Sequence, residues 1–104
     1  MRKARILLYG KPAGILIEQD PQRLYVFEYS EEYQGPPVSL TMPLSQRRYE
    51  FKTFPAFFDG FLPEGPQLEA LLRYAKLDRN DGFGQLIVVG ADLVGAVTVE
   101  ILNE

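Results

Sequence analysis

The sequence predicts an α+β domain: a small, curved antiparallel β-sheet with two helices in the C-terminal half packed against it. Three observations carry that expectation. The N-terminal third holds three short apolar runs divided by turn signals. The second half switches to leucines at helical spacing. The final stretch alternates apolar and polar residues again, as a strand does.

The first strand is Ile6-Leu7-Leu8-Tyr9, stopped by Gly10-Lys11-Pro12. The second is Ile15-Leu16-Ile17, closed by Asp20-Pro21 because proline lacks an N–H and keeps its neighbour out of helical angles. The third, Leu24 to Tyr29, is rich in β-branched and aromatic residues. Tyr25, Phe27 and Tyr29 share one face of it, and Leu24 and Val26 the other. Neither face is strongly polar, so both are expected to be partly covered. Short turns between these strands suggest a meander.

Ser30 to Gln34 reads as one helical turn ended by Gly35-Pro36-Pro37. Val38-Ser39-Leu40-Thr41-Met42 alternates and predicts a fourth strand, closed by Pro43. Ser45 to Glu50, with its Arg47-Arg48 pair, reads as an exposed polar loop. Phe51, Phe54, Phe57, Phe58 and Phe61 follow, broken by Pro55, Gly60 and Pro63, and fit no strand or long helix. Glu64-Gly65-Pro66 predicts a helix start. Leu68, Leu71, Leu72 and Ala75 then mark one helix face, and Glu69 and Arg73 are spaced for an ion pair on another. Asn80 or Asp81 is placed to cap a second helix with Phe83, Leu86 and Ile87 inward and Gly90 as its stop. Asp92 to Ile101 reads as the last strand.

The chain has 104 residues, the length of one domain. It is 46% hydrophobic and 24% charged, an ordinary globular balance. A net charge of −3 offers no basic field to replace phosphate counterions, so direct nucleic-acid binding is not expected. The start, Met1 to Arg5, resembles the basic head of a signal peptide, but the apolar run behind it stops at Tyr9. That is too short for a signal core or a membrane span.

Chemistry is equally constrained. The absence of cysteine removes disulfides, thiolate nucleophiles and Cys-ligated zinc, and agrees with a reducing cytoplasm. The absence of histidine removes every histidine-based dyad, triad or metal site. Ser30, Ser39 and Ser45 lack the flanking glycines of a nucleophile elbow. Asp59 and Glu64 are the nearest thing to a carboxylate pair, yet a turn aspartate and a glutamate at a helix start explain them better. Gly82-Phe83-Gly84 matches only half of a dinucleotide fingerprint, because Ile87 stands where the third glycine belongs. Asp78 to Asp81 lacks the later ligands of a calcium loop. No catalysis, cofactor or metal is expected. The phenylalanine segment has two readings: core rings between sheet and helices, or aromatic anchors on a proline-stiffened loop.

At this point the order of residues resembles a known family. Phe57-Phe58-Asp59-Gly60-Phe61-Leu62-Pro63-Glu64-Gly65 is similar to the central motif of the HipA N-terminal domain, a phenylalanine-rich turn leading into Leu-Pro-Glu-Gly and a helix. Asp81-Gly82-Phe83-Gly84-Gln85-Leu86-Ile87, followed by Gly90 to Val97, resembles its second signature. Gly10 with Gly14-Ile15-Leu16 fits its first hairpin. HipA-type proteins are serine/threonine kinases of bacterial toxin–antitoxin systems, and this domain precedes their ATP-binding and catalytic parts. The resemblance implies a detached N-terminal domain ending at Asn103-Glu104, like the HipS antitoxin of HipBST systems. The implied partners are a shortened HipT-like kinase and a HipB-like helix-turn-helix protein, in the cytoplasm. Two other roles are compatible with it: a fragment of a full-length kinase, or a structural adaptor that reaches DNA only through its helix-turn-helix partner.

The same resemblance implies a partner-binding segment of Phe58, Asp59, Gly60, Phe61, Leu62, Pro63, Glu64, Gly65, Pro66 and Gln67. Its loop would face the kinase cleft, with Gly60 and Pro63 shaping it, Phe61 and Leu62 in apolar contact and Glu64 paired with a basic residue. Pro66 follows the motif and the chain has no tryptophan, so the expected block does not use a bulky plug.

Overall fold

A computed structural model describes residues 1–93 and 95–102. Val94 of the second signature, and Asn103 and Glu104 at the expected end, lie outside the described residues. The sheet has five strands: β1 (Arg2–Leu8), β2 (Lys11–Asp20), β3 (Leu24–Tyr29), β4 (Arg48–Phe51) and β5 (Val97–Leu102). Their order is β4-β3-β2-β1-β5, and every pairing is antiparallel. The meander is as predicted, and the last strand returns to lie beside the first. Register irregularities between Ile6 and Leu7 and between Glu18 and Asp20 bend the ladder. The helices are α1 (Ala56–Asp59), α2 (Gly65–Ala75) and α3 (Gly82–Val89), with a 3₁₀ turn over Gly90–Asp92.

Two expectations exchange places. Val38 to Met42 is not a strand; it is a turn-containing loop. Val38 and Met42 are buried while Leu40 points outward, so a loop with two inward residues produced the alternation of a strand. The fourth strand instead overlaps the stretch expected to be a polar loop and runs on into Phe51. Arg48 and Glu50 are exposed there, and Tyr49 and Phe51 turn inward. It is an edge strand, and charged outer residues suit an edge.

The core is organised on β3. Tyr25, Phe27 and Tyr29 share its inner face and are 3% exposed or less. Each meets a ring from elsewhere. Phe54 stands edge-on to Tyr25 at 5.5 Å and Phe83 stacks on it at 6.5 Å. Phe58 lies 5.9 Å from Phe27, and Tyr33 stacks on Tyr29 at 5.9 Å. Such pairs add roughly 0.5–1.5 kcal/mol each beyond area burial. Ala4, Ile6, Leu16, Val97 and Val99 complete the layer. Val26 is also buried, on the opposite face, in line with a sheet covered in part on both sides.

Helix α3 is anchored. The Asp81 carboxylate caps it by accepting from the Gly84 N–H at 2.9 Å. Phe83 and Leu86 are fully buried and Ile87 packs on the core. Gly90 is the C-cap of the helix, as expected, with a helical φ of −58° that does not require glycine. Its small size matters for a different reason: a Cβ there would meet Val99 Cβ at 2.6 Å and its carbonyl oxygen at 2.8 Å. Helix α2 packs on α3 rather than on the sheet, and none of its residues is buried. Glu69 pairs with Arg79, beyond the helix, rather than with Arg73 as its spacing suggested. No described helix is long and apolar enough to cross a membrane.

Candidate functional site

The expected partner-binding segment runs from the end of α1 into the first turn of α2. Helix α1 begins after buried Pro55, whose carbonyl accepts from the Phe58 and Asp59 N–H groups at 3.1 and 2.9 Å. The turn continues with Phe61 N–H to Phe58 O at 3.1 Å and Leu62 N–H to Asp59 O at 3.0 Å. These bonds close the chain tightly and direct its rings inward. Phe58 is 0% exposed and belongs to the core, so it offers no surface. Phe61 and Leu62 are half-buried and pack on the core; Phe61 stands edge-on to Phe57 at 5.2 Å. Their free apolar surface is therefore smaller than the sequence suggested.

The outward part of the segment is polar and small. Asp59, Gly60, Glu64, Gly65, Pro66 and Gln67 are exposed, and Pro63 is half-buried. Gly60 does not shape the loop through its freedom, because its φ of −63° suits any residue. Gly65 does, with a φ of +59° that a side chain adopts only under strain. Glu64 sits at the N-cap of α2 in extended conformation, and its side chain makes no capping bond. Its carboxylate is thus not used by the helix it precedes.

Two further features were not anticipated from the sequence. One is an arginine clamp. Arg2 reaches buried Glu18 through Nε–Oε1 at 2.7 Å and Nη2–Oε2 at 2.8 Å. It also holds Asp81, with Nη2–Oδ1 at 2.7 Å, and lies 5.2 Å over the Phe83 ring. Hydrogen bonding to Glu18 and then Asp81 raises the Arg2 pKa further above its already high value. The Arg2 hydrogen bond holds the Asp81 carboxyl below its usual range, against burial and aided by the Gly84 N–H. The signal in the sequence was Glu18 at the end of an apolar run, a charge that needed a partner. This clamp fixes α3 to the sheet and is structural.

The other feature lies at the opposite end of the strands, where the β1–β2 turn meets the segment after β3. A cleft of about 730 Å³ opens there, lined by Tyr9, Lys11, Pro12, Glu32, Tyr33 and Pro36 among others. No residue of the 58–67 segment lines it. Among the described residues, no group of three or more His, Cys, Asp or Glu could hold a metal ion. Asp59 and Glu64 carry no converging acid–base partner among the described hydrogen bonds and ion pairs.

Comparison with known proteins agrees with this architecture. The family model described as HipA N-terminal domain matches residues 4–100. A solved structure described as the N-terminal domain of HipA toxin superposes with a TM-score of 0.80 at 30% identity, covering 100% of this chain and 95% of that one. An uncharacterised protein of Haemophilus influenzae is 31% identical over 100 residues, 96% of this chain and 92% of its own length. The putative kinase Y4dM of Sinorhizobium fredii is 34% identical over 103 residues, 90% of this chain but only 25% of the kinase. With the matched model spanning almost the whole chain, this protein belongs to the HipA N-terminal domain family.

Proposed function

We propose that this domain binds and restrains a HipA-type serine/threonine kinase, as the antitoxin-like partner of a shortened HipT-like kinase. The observation that supports the reading most is the pair of settings in which similar domains occur. One makes up nearly all of the Haemophilus influenzae relative, and another is a quarter of a putative kinase. A domain found both apart from and within a kinase has a surface fitted to kinase, used within one chain or between two. The separated form lacks the high effective concentration of a covalent link, so it must hold its partner by contact alone.

The domain brings no catalysis of its own in this reading. The exposed run from Glu64 to Gln67, together with Asp59 and Gly60, is the part of the segment open to the kinase. Glu64 carries a carboxylate free of helix capping, suited to a basic residue near a nucleotide or substrate site. Restraint acts by occlusion or by holding the kinase in an inactive conformation. A HipB-like helix-turn-helix protein completes the proposed complex, in the cytoplasm.

The test is co-expression. A toxic HipA-type kinase that lacks its own copy of this domain should arrest growth alone and permit growth beside the wild-type chain. Glu64→Lys should fold normally and protect less well. Undiminished arrest beside well-expressed wild-type chain would overturn the proposal. The identity to the kinase relative supports a second reading, in which the chain acts as the non-catalytic N-terminal part of a longer kinase. A reading frame that continues into kinase motifs would decide for it.

A further inference from the structure

Leu40 is 93% exposed, the most exposed large hydrophobic residue among those described. Single exposed leucines are common on protein surfaces and by themselves mean little. What distinguishes this one is the structure beneath it. Val38 and Met42, on either side, are buried in the core cluster. The buried Tyr29 hydroxyl spans the base of the loop, accepting from the Val38 N–H at 3.0 Å and donating to the Met42 carbonyl at 2.5 Å.

The tip is closed as well. Met42 N–H donates to the Ser39 carbonyl at 3.0 Å, and Thr41 N–H to Ser39 Oγ at 3.2 Å. The Ser39 and Thr41 hydroxyls meet at 2.8 Å. A flexible loop would fold an apolar tip back; this one is bonded at base and tip with its leucine outward. Several of the loop's polar groups, the Val38, Thr41 and Met42 N–H among them, already have partners, so fewer must be stripped of water when a surface closes over it. Rigid presentation and low desolvation are the two properties that make a side chain an anchor.

We propose that Leu40 is a pre-organised apolar anchor that inserts into a leucine-sized pocket on the kinase partner. The inference rests on the kinase-binding reading above and adds a contact distinct from the 58–67 segment. The occupant is a kinase because the related domain in the Sinorhizobium fredii protein is a quarter of a chain named as one. A domain joined to three quarters of a kinase meets a large neighbouring surface, and Leu40 is the large apolar side chain least covered by its own fold among the described residues. Tyr29 is a positioning residue for it.

Calorimetric titration of the full chain against a purified HipA-type kinase lacking this domain tests the proposal. Leu40→Asp should weaken binding between about tenfold and about a hundredfold, the range expected for burial of one leucine side chain. Its melting temperature should stay at the wild-type value, since Leu40 contributes no packing. Tyr29→Phe keeps the ring and removes the clamp, and should weaken binding less, with a less favourable binding entropy. Binding by a folded Leu40→Asp variant within twofold of wild type overturns the anchor and leaves the kinase reading intact. Absence of wild-type binding overturns both. Light scattering adds one more overturning result: a wild-type dimer that Leu40→Asp makes monomeric, with kinase affinity unchanged, would assign Leu40 to a second copy of this chain.

Discussion

Helices α2 and α3 are neighbours in sequence and contact each other, yet the fold treats them differently. Helix α3 is short, with eight residues, and carries two glycines inside it, a poor helix by propensity. It is nevertheless fixed by the Asp81 cap, the Arg2 clamp and two fully buried side chains. Helix α2 has eleven residues and a regular leucine stripe, the better helix on paper. It has no side-chain cap, begins at Gly65 in a left-handed backbone conformation and buries nothing fully. Tertiary anchoring, not propensity, decides which helix belongs to the core. The segment proposed to meet the kinase leads into the less anchored of the two, where local adjustment costs least.

The contrast is broken or sharpened most strongly by removing one apolar side chain from each helix. Phe83→Ala should cost about 3–5 kcal/mol of stability in denaturant unfolding, from lost burial and the cavity beside Tyr25. Leu72→Ala should cost about 1 kcal/mol, because Leu72 is half-buried and outside the core cluster. Equal losses would mean that α2 is as integral as α3.

A smaller effect comes from the cap. Asp81→Asn should destabilise the domain by about 1 kcal/mol at neutral pH, since it keeps a capping side chain but loses the charge pair with Arg2. The folded carboxyl titrates below its ordinary range because Arg2 hydrogen-bonds to it. Its contribution is therefore complete above the unfolded value of about 3.9 and is lost as pH falls through the lower folded value. The gap between wild type and Asp81→Asn should be constant near neutrality and shrink in acid. A gap that persists in strong acid would remove Arg2–Asp81 pairing as its cause.

The smallest effects separate two glycines of the proposed binding segment. Gly65→Ala should cost about 1–2 kcal/mol through its left-handed backbone. Gly60→Ala should change stability by less than about 0.5 kcal/mol, because its backbone is helical and a Cβ there would come no closer than 3.4 Å to Phe57 O. Thermal unfolding of both variants measures the difference, and equal costs would contradict the conformational argument.

Much of this fold was legible in the sequence because strong signals acted locally. Gly10 and Pro21 fall in the turns that divide the first three strands, although β1 starts at Arg2 and β2 runs on from Lys11 to Asp20, and β3 was read residue for residue. Of the two candidate caps, Asn80 and Asp81, the structure uses Asp81. The failures came where long-range contacts decide. Val38 to Met42 alternated like a strand, but its backbone is satisfied by the Tyr29 hydroxyl and its own tip. The Arg48-Tyr49-Glu50-Phe51 alternation was the true strand signal, hidden by charges suited to an edge. In the candidate site, the motif suggested the segment, but only packing shows that Phe58 is core and that Phe61 and Leu62 lean inward. The leucine stripe of α2 promised a core helix that the sheet does not receive.

The most direct test of the central claim is the phosphotransfer rate of a purified HipA-type kinase lacking this domain, measured as wild-type chain is added. The rate should fall with added chain and level off at a fixed stoichiometry, with Leu40→Asp shifting the curve to higher concentration. A rate unchanged at saturating chain, with complex formation verified in the same tube, would contradict restraint of the kinase.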